Sequence, residues 1–186
     1  MSTKNLGNKT ALMIVDVQAG VMRHAWEANR VISNICMAVE KARMAGVPVI
    51  WVQHSDEELV MNSDDWQWVP ELVPVDGEIR IYKLYNSAFE QTTLEDTLDR
   101  LRISHILLAG ASTNWCIRAT AYGALDRGYD LTLIEDAHTT GTMEFEDGTN
   151  IEAAHIIREL NTAMKWLSYP DRKNRSLPVD QIQLTA

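Results

Sequence analysis

The sequence is poor in cysteine, in basic residues and in long apolar runs, and each shortage excludes a class of protein. Its two cysteines, Cys36 and Cys116, are too few for a disulfide framework, and neither has Cys or His neighbours at zinc-ligand spacing. No run approaches the roughly 20 apolar residues of a membrane span, and residues 1–5 are polar. We therefore expect a cytoplasmic protein with neither a secretion signal nor a membrane anchor.

The shortage of positive charge argues against a second class, the proteins that bind nucleic acids or anionic membranes. Seventeen Lys and Arg residues stand against 26 Asp and Glu, for a formal net charge of −9. Because nucleic acids and anionic membranes attract clustered basic side chains, neither is expected as a partner. The length of 186 residues and the 46% hydrophobic content suit one domain with a sizeable core. We predict a single domain over residues 1–186, with a polar, peripheral tail from about residue 170.

Short apolar runs alternate along the chain with stretches of helical periodicity. This alternation predicts βαβ units and hence a three-layer α/β/α fold around a mostly parallel open sheet. Helices are expected between Arg30 and Ala45, where Cys36 falls on or beside the buried stripe, and over residues 151–166. Thr93, with Asp96 three positions later, predicts the cap of another helix. The predicted strands are Leu12 to Val15, Val49 to Val52, Ile79 to Tyr82, Ile106 to Ala109 and Leu131 to Ile134.

Three residues whose side chains could take part in catalysis follow predicted strands. Asp16 comes directly after the first strand and Lys83 after the third, while Cys116 follows the fourth across a tight turn and opens a helix. Ligands bind at the carboxyl ends of strands in open α/β sheets, so the three side chains are expected to converge on one rim. The free N–H groups and the dipole at a helix start favour negative charge, which predicts a bias of Cys116 toward thiolate.

Each of these residues also has a simpler interpretation. Asp16 could cap the following segment, Lys83 could be a solvated lysine at a strand end, and Cys116 could pack as a small hydrophobe. Their joint occurrence, rather than any one of them, favours catalysis.

Several motifs surround these residues: Asp-Val-Gln at 16–18, Ser-Ala-Phe at 87–89 after Lys83, Gly-Ala-Ser-Thr-Asn-Trp-Cys-Ile at 110–117 and Asp-Ala-His at 136–138. In this order and spacing they resemble the isochorismatase-like cysteine hydrolases, a superfamily that includes nicotinamidases and streptothricin hydrolases. The resemblance covers most of the chain, and Trp-Val-Gln-His at 51–54 looks closest to the streptothricin-hydrolase-like branch. It implies a small-molecule substrate and a homodimer or homotetramer.

The resemblance also implies a mechanism. Cys116 would attack the carbonyl of an amide or related carbon-nitrogen compound and form an acyl-enzyme that water releases. Asp16 would act as base and then as acid, which requires a raised pKa, and Lys83 would supply a fixed positive charge. A cis peptide between Ala111 and Ser112 is implied as well, and it would aim the Ser112 and Cys116 amides at a common oxyanion.

One departure from the family concerns metal. Nicotinamidase-like relatives carry an Asp and several His just after the second strand, whereas this chain has His54 and Asp56 there and its next histidine is His105. A metal site needs three or four convergent ligands, so we expect neither a metal nor another cofactor. This argues against nicotinamide hydrolysis.

Candidate substrate contacts come from five further side chains: Gln18, His54, Trp66, Phe89 and Trp115. Trp115, next to the nucleophile, is the best placed to form a pocket wall, while a core or interface position is an equal alternative for Trp66. Acidic stretches at 55–65 and 144–147 could favour a cationic substrate, although a hydrated acidic face is the commoner explanation.

Two other functions stay open. The same fold supports vinyl-ether hydrolysis of the isochorismatase type, for which the resemblance implies no need of the thiol. A non-catalytic partner or a thiol redox sensor is the third possibility, because thiolate character also promotes oxidation.

Overall fold

The computed structural model describes residues 7–184, so the polar segment 1–5 lies outside the described residues. Its strands are Lys9–Val15 (β1), Val49–His54 (β2), Ile79–Lys83 (β3), Ile103–Ala111 (β4), Asp130–Thr139 (β5), Met143–Glu144 (β6), Asn150–Ile151 (β7) and Asn174–Leu177 (β8). Its helices are Ala19–Met22 (α1), Ala28–Met44 (α2), Leu94–Leu101 (α3), Arg118–Asp126 (α4) and Ala153–Trp166 (α5), with a π-helical turn at Thr113–Ile117 and a 3-10 turn at Val179–Gln181.

Six strands form one sheet in the order β3-β2-β1-β4-β5-β8, and all neighbouring pairs are parallel. The chain therefore runs outward from β1 in one direction through β2 and β3, and then returns to β4 on the other side of β1. In such a sheet the crevice at the carboxyl ends of the two strands that flank the reversal is where ligands bind. For this fold, that crevice lies between β1 and β4.

Strand β1 shows why the apolar runs are continuous. Met13 and Val15 belong to the core that includes α3, α4 and α5, whereas Leu12 and Ile14 belong to the core that includes α2. A strand buried on both faces requires apolar side chains at consecutive positions, not at alternate ones. The predicted three-layer α/β/α fold with a parallel sheet is confirmed.

The predicted helices are present, with two differences at their starts. The helix expected to open at Cys116 begins at Arg118 instead, because Cys116 lies in the π-helical turn at Thr113–Ile117. The Thr93 side chain makes no capping hydrogen bond at the start of α3. Thr92 Oγ1 accepts a hydrogen bond from the Leu94 amide at 3.2 Å instead. Cys36 is half-buried beside the apolar stripe of α2, and its thiol donates to the Glu71 carbonyl at 3.6 Å. Within residues 7–184, none of the helices is long and apolar enough to cross a membrane.

The carboxyl-terminal segment is part of the fold, which corrects the prediction of a peripheral tail. Strand β8 pairs with β5 and completes one edge of the sheet. Ser176, Val179 and Ile182 are buried, and Val179 donates its amide hydrogen to Asp136 Oδ1 at 2.9 Å. Lys41 Nζ donates to the Val179 carbonyl at 2.7 Å. Because the segment alternates buried and exposed residues, it has no apolar run by which it could be recognised.

Candidate active site

Asp16, Lys83 and Cys116 come together at the predicted rim. Lys83 Nζ lies 2.7 Å from Asp16 Oδ2 and donates to Cys116 Sγ at 3.2 Å. Their exposed fractions are only 1%, 2% and 8% respectively. Lys83 is therefore buried and is not a solvated lysine. The Asp16 carboxylate accepts no capping hydrogen bond from a backbone amide within residues 7–184.

A close approach of β1 and β4 places Asp16 beside the nucleophile turn. Gly110 pairs with Val15 and has a φ of 128°. A Cβ at this position would lie 2.0 Å from the Val15 carbonyl oxygen, so only glycine fits. Asp16 follows at once, with a φ of 52° and its amide donating to the Val52 carbonyl at 2.9 Å. The carboxylate is thereby held at the crevice by backbone contacts to both neighbouring strands.

Lys83 is oriented by its neighbour on β2. His54 pairs with Lys83 in the sheet register, and its Nδ1 lies 3.3 Å from Lys83 Nζ. The other ring nitrogen, Nε2, is 3.0 Å from Asp56 Oδ2. Since a carboxylate only accepts and an ammonium only donates, Nε2 carries the hydrogen and Nδ1 accepts from Lys83. His54 and Asp56 thus hold the ammonium toward Asp16 and Cys116.

The turn that carries Cys116 is a π-helical turn that begins just after Ser112. The Ala111–Ser112 peptide bond is cis, as the resemblance implies. The Ser112 carbonyl accepts hydrogen bonds from the Trp115 and Ile117 amides at 3.1 and 3.2 Å. Ser112 and Cys116 both line the cavity described below, where backbone donors of this turn can face a reacting carbonyl.

A buried histidine supports this turn from behind. Asn161 donates through Nδ2 to the Glu135 carbonyl, so its Oδ1 is an acceptor and His138 Nε2 donates to it at 3.0 Å. His138 Nδ1 is then free to accept from the Thr113 hydroxyl at 2.8 Å. Burial lowers the pKa of His138 to about 4, which keeps the ring neutral and this bonding pattern intact. The sequence contains the motif at 136–138, but no sequence pattern indicates the contact between His138 and Thr113.

The electrostatics of the three central groups differ from the sequence-based expectation. Burial, together with the neighbouring Asp16 carboxylate, raises the pKa of the Cys116 thiol to about 12, although the Lys83 ammonium opposes the rise. The predicted bias toward thiolate is therefore wrong, because burial and a like charge outweigh the dipole of a short turn. Burial also raises the pKa of Asp16, against the effect of Lys83.

The Asp16 carboxylate is close to Lys83 yet incompletely satisfied. Both of its oxygens are buried and lack a well-directed hydrogen bond from any residue in the range 7–184, despite the 2.7 Å ion-pair distance. A buried acceptor normally finds a donor, so an unsatisfied one at a cavity wall indicates a place for a proton or a ligand donor.

Asp16 and Cys116 line a cavity of about 550 Å³, and Lys83 contacts both of them without lining it. His54 and Trp115, two of the five predicted substrate contacts, line it. Its lining consists of Asp16, Gly20, Val21, Arg23, His54, Asp56, Glu58, Leu59, Asp65, Asn86, Ser112, Trp115 and Cys116.

Gln18, Trp66 and Phe89 are not among the lining residues, so the structure does not place them where substrate contact was predicted. Gln18 is fully buried and uses its amide group to bond the His54 backbone and the Trp66 carbonyl. Trp66 donates Nε1 to Ser55 Oγ at 2.8 Å, which agrees with the core alternative. Phe89 lies in the apolar core. Gln18 supports the cavity wall through its bonds to the His54 backbone, and Trp66 and Phe89 are buried away from the cavity.

Most of the outer wall was missed by sequence reasoning, because it comes from loops and a short helix without periodic patterning. Gly20 donates its amide hydrogen to the Asp65 carbonyl at 2.8 Å, and a Cβ there would lie 2.9 Å from Asp65 Cβ. This contact packs α1 against the acidic loop 55–65. Arg23 forms an ion pair with Asp65 across the same contact. Asn86, just after β3, was likewise not predicted.

The donor set near His54 does not resemble a metal centre. Among the residues that the structure describes, no three His, Cys, Asp or Glu side chains cluster with metal-binding geometry. His54 and Asp56 bond each other and Lys83, as described above. His54 and Asp56 are two potential ligands, which is fewer than the three or four that a metal site needs.

Comparison with known proteins identifies the family of this chain. The isochorismatase domain family matches residues 10–163. An uncharacterized isochorismatase family protein, YrdC of Bacillus subtilis (strain 168), is 34% identical over 155 residues, which cover 80% of this chain and 83% of that protein. Streptothricin hydrolase of Streptomyces noursei is 31% identical over 137 residues, covering 70% of this chain and 54% of that one.

Solved structures lead to the same family. The crystal structure of an isochorismatase from Pseudomonas putida KT2440 matches with a TM-score of 0.84 and 27% identity, over 97% of this chain and 94% of that chain. The resemblance inferred from the motifs is confirmed. The chain belongs to the isochorismatase family.

Proposed function

We propose that this isochorismatase-family hydrolase cleaves an amide or related carbon-nitrogen bond of a small molecule through a Cys116 acyl-enzyme. The observation that carries the proposal is that Lys83 contacts both Asp16 and Cys116, and that Asp16 and Cys116 line one cavity. A similar protein named streptothricin hydrolase supports hydrolysis as the reaction class.

The raised pKa values of both acids favour a mechanism without a preformed thiolate. As the Cys116 sulfur attacks the carbonyl carbon, its proton passes to the Asp16 carboxylate and the S–C bond forms. The negative charge on the carbonyl oxygen is stabilised by backbone amides of the turn that holds Ser112 and Cys116. The C–N bond then breaks, and Asp16 returns the proton to the leaving amine.

The second half of the cycle uses the same groups. A water molecule gives a proton to Asp16 and adds to the thioester, the S–C bond breaks, and the proton returns to the sulfur as the carboxylic acid leaves. Lys83 keeps its charge throughout. Its contacts of 2.7 Å to Asp16 Oδ2 and 3.2 Å to Cys116 Sγ compensate whichever of the two groups is negative at each stage.

The test is intact-protein mass spectrometry of the protein mixed with an activated amide such as a 4-nitroanilide. We expect an adduct of the acyl mass that maps to Cys116, and a loss of turnover of at least about 10³-fold in Cys116→Ala. Cys36→Ser is the matched control, because this half-buried thiol lies outside the cavity and its removal should leave the adduct unchanged.

Full turnover by Cys116→Ala would contradict the proposal. If that variant also cleaved a vinyl ether, the isochorismatase-type alternative would be favoured. Reversible peroxide oxidation of Cys116 without any hydrolysis would favour a redox sensor. A cytoplasmic location and a homodimer or homotetramer stay predictions from the sequence.

A further inference from the structure

The outer part of the cavity carries an excess of negative charge. Its lining includes the carboxylates of Asp56, Glu58 and Asp65 but only one guanidinium, that of Arg23. Arg23 is engaged in an ion pair with Asp65, and the inner carboxylate of Asp16 is compensated by Lys83. The carboxylates of Asp56 and Glu58 are therefore left without a compensating Lys or Arg in the cavity lining.

These two carboxylates differ in how firmly they are held. Asp56 Oδ1 accepts from the amides of Glu58 and Leu59 at 2.9 and 2.6 Å, and Oδ2 faces His54 Nε2 at 3.0 Å. These hydrogen bonds keep the pKa of Asp56 below its ordinary value, so it stays ionised. The Glu58 carboxylate is exposed and has no ion-pair or hydrogen-bond partner within residues 7–184. The Asp56 carboxylate is thus held in place by hydrogen bonds, and the Glu58 carboxylate is free to pair with a bound cation.

The surrounding loop adds charge of the same sign. Residues 55–65 contain five acidic side chains and no Lys or Arg, the further two being Glu57 and Asp64. An anionic group entering the cavity would be repelled by this potential, whereas a cation would be attracted by it.

Trp115 supplies the aromatic component of a cation site. It lines the cavity next to Cys116, and 54% of its surface is exposed. Arg30, Arg127 and Arg172 each lie over an aromatic ring, but none of these rings is that of Trp115. A half-exposed indole in the same cavity wall as carboxylates is an environment that favours an ammonium or guanidinium group.

An independent sign that a ligand belongs here comes from the inner end of the same cavity. Asp16 is 1% exposed, lines the cavity, and has two oxygens without a well-directed hydrogen bond from a described residue. A ligand that reaches this acceptor with its reacting group extends across a space of about 550 Å³ that has Asp56, Glu58 and Trp115 in its walls.

We infer that the cavity selects amides that carry a cationic ammonium or guanidinium group, an inference that rests on the proposed amide hydrolysis. A neutral amide leaves the Asp56 and Glu58 charges unpaired, and an anionic amide is repelled by them. The negative wall thereby acts as the specificity determinant, while Asp16, Lys83 and Cys116 carry the chemistry.

The test compares 4-nitroanilides whose acyl chains have equal length and end in an ammonium, a methyl or a carboxylate group. A second series carries the same three groups on the amine side, so that either orientation is covered. We expect kcat/KM for the cationic member of at least one series to exceed that of its neutral isostere by about 10-fold, and to fall as salt is added. Equal values for cationic and neutral members in both series would overturn the inference.

Two single-residue variants test whether the cavity-lining carboxylate of Glu58 causes the preference for a cationic substrate. Glu58→Gln should reduce the cationic-to-neutral ratio by about 3-fold or more, as expected for the loss of one partly exposed charge. Glu57→Gln removes the adjacent exposed carboxylate, which does not line the cavity, and should reduce the ratio by a clearly smaller factor than Glu58→Gln does. Equal effects of the two variants would also overturn the inference, because only general surface charge would then be at work.

A binding measurement separates this inference from the proposed function. Calorimetric titration of Cys116→Ala with the same nitroanilides reports binding without turnover. Tighter binding of the cationic member supports the inference even if the acyl-enzyme is disproved, and equal binding of both members refutes it even if amide hydrolysis through Cys116 is established.

Discussion

The inner and outer parts of the cavity are built on opposite principles. In the inner part, Asp16, Lys83 and Cys116 are almost completely buried, follow strand ends, and compensate each other's charge. In the outer part, Asp56 and Glu58 are exposed on a loop and form part of a negative excess. A rigid sheet suits groups that must meet within hydrogen-bond distance, whereas a loop can change without disturbing them.

The difference indicates a division of labour. Positions in the inner part are constrained by backbone register as well as by chemistry, so changes there should affect both activity and folding. Positions in the outer part bear on which molecule enters. The following predictions test this division, from the largest expected effect to the smallest.

Asp16→Asn should reduce kcat/KM for amide hydrolysis by about 10³-fold, because an amide side chain can neither take the thiol proton nor return it to the leaving amine. Steady-state kinetics with a 4-nitroanilide measures the loss. Glu58→Gln, in the outer part, should cost less than about 10-fold with the same substrate. Losses of similar size in the two variants would break the division between the inner and outer parts.

Gly110→Ala should lower the free energy of unfolding by at least about 3 kcal/mol, because the new Cβ would meet the Val15 carbonyl oxygen at 2.0 Å. Gly148 is the matched control: its φ of 81° is also positive, but an added Cβ has no atom within 4 Å. Gly148→Ala should cost only about 1 kcal/mol, from the backbone conformation alone. Urea titration of both variants measures the difference, and equal losses would show that the approach of β1 to β4 does not constrain the site.

The decrease in the free energy of unfolding at alkaline pH should include a contribution from ionisation of the buried Cys116 thiol. Because the pKa of Cys116 is raised to about 12 from an ordinary 9.0, the unfolded chain loses this proton first. Stability that is fully present below pH 9 is then lost as the pH rises toward 12, by about 1 kcal/mol over the first pH unit above the ordinary thiol pKa. Cys116→Ala should lack this component when unfolding is followed across the same range. Parallel curves for the two proteins would mean that the thiol ionises normally.

Trp115→Ala should change the free energy of unfolding by less than about 0.5 kcal/mol, since most contacts of this half-exposed side chain are with solvent. Its effect should fall on KM for the amide. Trp66→Ala is the contrasting variant: that indole is buried and bonded to Ser55, so its truncation should cost about 3 kcal/mol. Thermal denaturation together with steady-state kinetics separates the two, and a large loss of stability in Trp115→Ala would place this residue in the core.

The parts of the molecule that were predictable from the sequence are those that repeat or that end a strand. Strand β1 was recognisable because burial on two faces requires an unbroken apolar run, and Asp16 because it ends that run. Strand β8 was not, since an edge strand that buries only Ser176 among its four residues has no such signature.

The ionisation of Cys116 and the cavity wall could not be predicted for different reasons. The helix-start argument for a thiolate considers local geometry only, whereas the pKa depends on burial and on Asp16, which is distant in sequence. The aromatic side chains of Trp66 and Phe89 are equally suited to a core and to a pocket, and only the packing of the whole chain decides between them. Arg23 and Asp65 meet across a loop contact that no periodicity indicates.

The position of Lys83 on an edge strand has a consequence for the order of events during folding. Strand β3 has a single neighbour in the sheet, so its backbone pairing depends on β2 alone. Until it docks, Cys116 and Asp16 lack the ammonium group that completes the proposed catalytic set. The recovery of hydrolytic activity by a refolding chain is therefore expected to be no faster than the pairing of β3 with β2.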